Sequence, residues 1–463
     1  MTPPAADVVV VGGGIGGLAT AYELHRRGIS VVVLERGARA GGVIFSEPID
    51  GYTIDAGPDS LLIQKPDGIR LCEELGLGSR LVATKLPRLA YIQRAGRLHA
   101  LPAASVLGIP TRFGPFVKTG LFSWPGKLRM GAEMVVPARR DGGDESIAAF
   151  MTRRFGAEAT AYLAEPLLAG IHAGDVDRLS ILSLFPRFAE TERKHGSLLL
   201  AFRRSGHGAK PSPDGAFKSL PGGLSEMVGA LVQALPAGTI RLNAAARSLS
   251  GEGPLRIDSA DEAIRALAPK AVVLATPAYV TAGLLRERDA EIARRCDEVP
   301  YASTGTIVMA FPRASIAHPL TGSGYVVPRV ERTPILAVSW LSSKWPGRAP
   351  DGQVLLRAFV GGARDPEALN RSDAELERVA LDAITPMLGV SGPPTLTRIY
   401  RWERANAQHE VGHLARMAAI DRALTRHPGL FLTGSGFRGV GIPDCVADGR
   451  ATAKAVDEWL KTP

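Results

Sequence analysis

The first apolar run, Val8-Val9-Val10-Val11, contains no polar position and stops at Gly12, where a helical period takes over with Leu18, Ala21 and Leu24 on one face. Four consecutive β-branched residues predict a strand buried on both faces, as in a parallel sheet. Residues 30–34, 271–275 and 430–434 repeat this pattern, the third run being closed by Thr276-Pro277, and a helix is expected over 447–460. The middle of the chain has a different rhythm. Alternating apolar and polar positions at 304–311, 324–327, 335–340 and 353–360 predict an antiparallel sheet. A charged helix over 372–388 and a strand over 395–402 complete that region.

Between these two patterns, strands at 89–92 and 98–101 turn at Ala95-Gly96. Residues 107–137 are dense in Pro, Gly and aromatics, and 146–184 carry a helical period with breaks expected at Pro166 and Gly170. Residues 203–216 read as an exposed loop, and Leu220-Pro221-Gly222-Gly223-Leu224 starts a helix reaching about residue 235. No internal repeat is visible.

With 463 residues the chain can fill two or more domains. No apolar run approaches the roughly 18 residues of a membrane span. Residues 1–7 carry no basic leader, so neither an integral membrane segment nor a signal peptide is expected and the location is cytoplasmic. Cys72, Cys296 and Cys445 are odd in number and far apart, which reads as small buried residues in a reducing compartment. The 55 basic against 46 acidic residues leave +9, a surplus suited to phospholipid or a carboxylate-bearing substrate. No aromatic-basic interleaving accompanies it, so nucleic acid is not expected as a partner.

The candidate chemistry sits where strands meet helices. In Gly12-x-Gly14-x-x-Gly17 the first glycine makes the turn, the second lets backbone approach a pyrophosphate and the third lets helix and strand close up. Gly12, Gly13, Gly14, Ile15, Gly16 and Gly17 therefore form the candidate phosphate cradle at a helix N-terminus. Glu35, about 20 residues on, is placed to accept from ribose hydroxyls. Arg39-Ala40-Gly41-Gly42 offers a second close approach, with Arg39 able to neutralise phosphate. At the far end, Gly434 to Cys445 is a Gly/Pro-rich loop. One cofactor gripped by both chain ends points to a bound flavin rather than an exchangeable nicotinamide. No metal-ligand spacing, nucleophile elbow or Ser/His/Asp set is present. Of the nine histidines only His172, in the small-residue stretch Ala169 to Asp175, is placed to line a planar ligand.

Taken together, Gly108-Ile109-Pro110-Thr111, Pro115 to Ser123, Glu165 to Ile171 and Gly439 to Cys445 resemble the porphyrinogen oxidases of the flavin amine-oxidase superfamily, close to their Gram-positive bacterial type over nearly the whole chain. The resemblance implies an α/β protein with a discontinuous Rossmann-like FAD-binding domain (1–85, 216–290 and 411–463). Inserted into it are an α+β substrate domain with a helical subdomain (86–215) and an antiparallel sheet (291–410). It implies non-covalent FAD and a six-electron oxidation of coproporphyrinogen III to coproporphyrin III by three molecules of O2, giving H2O2, in haem biosynthesis. It further implies a hand-off to a ferrochelatase and, for residues 104–137, contact with a membrane surface at its inner face or with the partner receiving the porphyrin. A lid over the substrate domain is the simpler role for that segment.

Position by position, the glycines of the first turn, Glu35, Arg36, Val43, Gly57, Pro58, Asp59, Ser60, Ala246, Trp402, Ile442, Pro443 and Asp444 match FAD contacts. Trp340 falls where plant enzymes carry a ring-stacking aromatic. Plant and myxobacterial relatives place a propionate-binding Arg just before the Tyr-Ile/Val strand, where this chain has Ala90. That leaves Arg88, Arg94, Arg97, Lys65 and Lys194 as candidate carboxylate anchors. Three other readings share the scaffold: a protoporphyrinogen IX oxidase, an amine oxidase or carotenoid desaturase, and a non-catalytic escort-type binding protein.

Overall fold

A computed structural model describes residues 6–101, 105–106, 109–110, 113–204, 214–250 and 254–462. Gly108 and Thr111 of the resemblance, and most of the loop expected over 203–216, lie outside them.

The unbroken apolar runs assemble as expected. Strands Ile240–Arg241, Val31–Leu34, Val8–Val11, Ala271–Leu274 and Leu430–Leu432 lie side by side in one five-stranded sheet. Every pairing in it is parallel, with Val8 opposite both Val31 and Ala271. Valines 8 to 10 are fully buried because helices cover both faces. On one side the first helix, Ile15–Arg26, lies against the closing helix, Ile442–Leu460. Their backbones nearly touch: a Cβ on Gly449 would stand 2.6 Å from the Gly16 carbonyl oxygen. The Thr20 hydroxyl bonds Gly449 O at 3.1 Å across this contact. The closing helix begins at residue 442 rather than at the expected 447. Pro443 occupies its first turn, where a missing N–H costs nothing, so the proline opens the helix instead of delaying it.

The alternating runs form a seven-stranded sheet in the order Leu396–Ala407, Tyr301–Pro312, Gln353–Gly361, Ile335–Trp340, Gly324–Val326, Tyr91–Arg94 and Arg97–Ala100. The structure departs from the sequence pattern in its pairing: the 91–100 hairpin joins through a parallel pairing of Tyr91 with Tyr325, so the sheet is mixed rather than purely antiparallel. Leu376, Ala380, Ile384 and Leu388 of helix Asp373–Leu388 cover one face. Apolar side chains from 109 to 198 build a separate helical core. Within it Pro166 does not break the helix. It sits inside a π-helical segment, Thr160–Ala169, whose wider winding accommodates the ring and leads directly into Gly170–His172. The three cysteines are free and buried.

Candidate functional site: a cradle between the chain ends

The turn from Val11 into the first helix is shaped by backbone crowding. Gly12 has φ +111°, and a Cβ there would lie 2.7 Å from Ala275 O; a Cβ on Gly17 would run into Gly12 O. Gly14 is different. It has ordinary backbone angles (φ −71°), and no protein atom lies within 4 Å of where its Cβ would be. The sequence therefore leaves open space in front of a helix N-terminus, beside a third backbone strip: Gly41 N donates to Gly13 O at 2.7 Å, and Gly42 approaches Gly14. At Gly16, two residues further, a Cβ would lie 3.4 Å from Gly434 Cα of the closing loop. Asp448 fixes that loop by accepting from the Thr433 hydroxyl (2.7 Å) and Gly434 N (3.0 Å). Free backbone N–H groups at a helix N-terminus, with open space before them, suit an anionic group such as a pyrophosphate.

Glu35 stands at the lip of the cradle, its two carboxylate oxygens accepting from Gly13 N (2.8 Å) and Gly37 N (2.7 Å). Ala244 N donates to Glu35 O, which brings Ala246, the first residue of its strand, alongside. Arg36 is exposed next to it. Arg39 is engaged by protein: its guanidinium donates to the carbonyls of Ala40, Gly42 and Ile44 and lies 4.7 Å from the Phe45 ring. It braces the Gly41-Gly42 turn.

The second half of the cradle is a clamp between the 55–60 loop and the seven-stranded sheet. Three successive carbonyls are held by side chains from three adjacent strands. Asp55 O and Gly57 O accept from Arg357, and Ala56 O accepts from both Thr306 and Trp402 at 3.0 Å. A Cβ on Gly57 would strike Val43 O, so Val43, Gly57 and Trp402 share one small surface. Pro58 is half-buried beside them. Asp59 is buried and receives Lys344 Nζ (2.9 Å), Arg357 (3.3 Å), Trp345 Nε1 (3.2 Å) and the Ser60 hydroxyl (2.6 Å). Burial alone would raise its carboxyl pKa, but the Lys344 and Arg357 cations outweigh that and hold it well below the usual range.

Lys65 and Asp444 close the cradle. The ammonium sits 2.8 and 2.7 Å from the two carboxylate oxygens, while Asp444 also accepts from Gly441 N at 3.3 Å at the start of the closing helix. Ile442 and Pro443 are carried on that first turn. His172 lies near this pair. Its ring is half-buried, and burial followed by the Lys65 charge pushes its pKa down to about 4. Behind it His409 and His413 stack at 3.8 Å and bond the carbonyls of Ser435 and Phe437 (2.9 and 2.8 Å), fixing the closing loop from its other side.

Four expected substrate residues stand elsewhere or are otherwise engaged. Trp340 is wholly buried among Tyr91, His318 and Tyr325, so it presents no face for a ligand to stack on; it is a core residue. Lys194 forms an i,i+4 pair with Glu190 on an exposed helix face, away from any cleft-lining role. Arg94 pairs with Glu158 at 2.7 Å and covers the Tyr162 ring. Arg88, half-buried, donates to Thr84 O and its hydroxyl at 3.1 Å.

Sequence reading missed Arg357, Lys344, Thr306, His409 and His413. Arg357 had a signal: it is the one charge inside the apolar strand 354–360, and a charge in such a run needs partners. The others had none: Lys344 and Thr306 meet partners more than 200 residues away, and His409 and His413 bond backbone carbonyls of the closing loop, which no residue type announces.

A parallel α/β sheet with an open glycine turn, an acidic residue at the neighbouring strand end and a second sheet clamped against the same cradle are the features of a flavin-dependent oxidoreductase. The model of the flavin containing amine oxidoreductases matches residues 15–457, and the chain belongs to that family. It is 35% identical over 472 residues to "Coproporphyrinogen III oxidase" of Bacillus subtilis (strain 168), covering 99% of this chain and all of the relative. It is 34% identical to the protein of the same name from Staphylococcus aureus (97% and 98% covered). A solved structure from Exiguobacterium sp. 255-15 superposes with a TM-score of 0.87 at 31% identity, covering 98% of this chain and 99% of that one.

Proposed function

We propose that this protein is a coproporphyrinogen III oxidase of haem biosynthesis. It binds FAD non-covalently and takes six electrons and six hydrogens from coproporphyrinogen III. Coproporphyrin III is released, and three O2 become three H2O2. The observation that carries this reading is the 34–35% identity, over nearly the whole chain, with enzymes of that name, on a chain whose cradle keeps the open Gly14 position.

The flavin supplies the electron sink; the chain's own groups bind, orient and exclude. Gly12 to Gly17 would take the pyrophosphate, with Arg36 at its edge. Glu35 and the Ala246 strand would take the adenosine ribose. Val43, Gly42, Gly57 to Ser60, Trp402 and Ile442 to Asp444 would face the ring. Residues 1–85, 216–290 and 411–463 would then be one cofactor domain, and 86–215 with 291–410 the substrate side. His172, uncharged at neutral pH, would form a wall for a flat macrocycle rather than an anchor for carboxylates. That anchoring falls to Lys65, whose side chain keeps 47% of its surface exposed beside Asp444, and to Arg88.

Among the described residues no helix is long and apolar enough to cross a membrane. Trp124, Leu128, Ala132 and Val135 nevertheless form one exposed stripe on helix Trp124–Gly131 and the turn after it, with Lys127 held 4.6 Å over the Trp124 ring. This supports a cytoplasmic protein making peripheral contact at the membrane's inner face, from which product passes to a ferrochelatase.

The deciding experiment is oxygen uptake by the FAD-loaded protein with coproporphyrinogen III and with protoporphyrinogen IX, together with H2O2 measurement. Faster turnover of coproporphyrinogen is expected, with one H2O2 per O2. No uptake with either substrate would refute the reading; preference for protoporphyrinogen would transfer it to that rival.

A further inference from the structure

Beside the 55–60 loop lie four buried charged groups, Asp55, Asp59, Arg348 and Arg357, and the largely covered Lys344, whose side chain is 13% exposed. Asp55 is paired with Arg348 at 2.8 Å. Asp59 is shared by two cations, Lys344 at 2.9 Å and Arg357 at 3.3 Å. Two carboxylates thus face three cations, and the cluster carries one positive charge in excess. The excess does not vanish at lower pH, because burial pushes Asp55 towards its neutral form and protonation there adds to it.

An unbalanced buried charge is costly unless an anion stands opposite. The cluster's donors do not serve as a hand for a substrate carboxylate. Lys344 Nζ makes three bonds, to both Asp59 oxygens and the Ser60 hydroxyl, which matches its three N–H groups. Arg357 gives its Nη groups to Asp55 O, Gly57 O and Asp59, and its Nε is buried. The excess charge therefore acts through space, next to the loop it fixes. That loop also carries Gly57, which forms one surface with Val43 and Trp402. When a flavin accepts two electrons and one proton as a hydride from a porphyrinogen carbon, its reduced ring carries one negative charge.

We propose that Lys344 and Arg357 are positioning residues that supply the counter-charge for the anionic reduced flavin and thereby raise its reduction potential, with Asp59 setting how much of their charge is felt. The proposal rests on the flavin reading above and deepens it. Charge near the ring is one of the few ways a protein tunes a flavin's electronics. The low dielectric of this cluster strengthens the effect.

The test uses the purified holoprotein. Flavin content is measured first, then the dissociation constant for sulfite, whose adduct with the ring is anionic, and then the midpoint potential by dye equilibration. Lys344→Met is expected to weaken sulfite binding at least tenfold and to lower the potential by about 30 mV, the equivalent of tenfold for a two-electron couple. Lys344→Arg restores both. Asp59→Asn moves both in the opposite direction, which loss of loop rigidity alone would not do. A flavin-bound Lys344→Met protein with sulfite affinity within twofold of wild type overturns the proposal. Should Lys344→Met retain no flavin, Asp59→Asn decides alone: tighter sulfite binding supports the proposal, and unchanged or weaker binding overturns it. Wild-type protein that takes up no flavin would instead remove the parent reading, and this one with it.

Discussion

Lys65 and Asp444 stand 379 residues apart in the chain and meet at 2.7 Å, so the lip of the cradle is closed by an ion pair between its first and last segments. The pair is half exposed, and such pairs contribute only about 0.2–1 kcal/mol. Lys65→Ala should therefore leave the thermal midpoint of the flavin-free protein nearly unchanged. Its effect should appear in substrate binding, as a KM for coproporphyrinogen raised severalfold with kcat nearly constant. Steady-state kinetics beside a thermal melt separate the two.

Gly14 and Gly17 should respond in opposite ways. Gly14→Asp meets no protein atom, so the apoprotein should fold and melt as wild type while its carboxylate repels the pyrophosphate and flavin is lost. Gly17→Ala drives a methyl into Gly12 O and should lower stability itself. Absorbance at the flavin bands and thermal denaturation of both variants check the pair. A yellow Gly14→Asp protein would contradict the phosphate assignment.

Glu133 and Arg154 are both wholly buried and paired, and the Glu133 carboxylate also accepts from the Ser197 hydroxyl and from Leu198 N and Leu199 N. Glu133→Gln removes the main carboxylate partner of the buried Arg154 cation, leaving only Glu192 at 3.3 Å, and should cost about 3 kcal/mol. Replacing both residues by Met should recover much of the loss. Chemical denaturation midpoints measure each step.

His409 gives a pH dependence with a definite sign. Burial, opposed by the bond to Ser435 O and aided by the nearby His172, lowers its pKa from 6.5 to about 4. Between pH 6.5 and 4 the unfolded chain binds a proton that the folded chain does not, so stability is full above 6.5 and falls as pH drops towards 4. The loss is about 1.4 kcal/mol per pH unit for this group. His409→Gln keeps a donor for Ser435 O and should flatten that slope. Denaturation midpoints at pH 7, 6 and 5 test it, and an unchanged slope would assign the acid sensitivity to other groups.

The sequence by itself determined the elements whose patterning is local. Four unbroken apolar runs became parallel strands because a strand covered on both faces needs no polar side, and alternating runs became the seven-stranded sheet. Gly12, Gly14 and Gly17 were legible because a tight turn and a close approach both exclude side chains. Burial and partnership were decided only in three dimensions. Trp340 reads the same in sequence whether it stacks on a ligand or on Tyr91. Nothing local announces that Arg357, Thr306 and Trp402, from three strands, hold the carbonyls of residues 55 to 57, or that Lys344 reaches Asp59. Local pattern follows from covalent neighbours, whereas the charge balance behind that loop depends on which distant segments folding brings within a few ångströms, and no spacing in the chain encodes that distance.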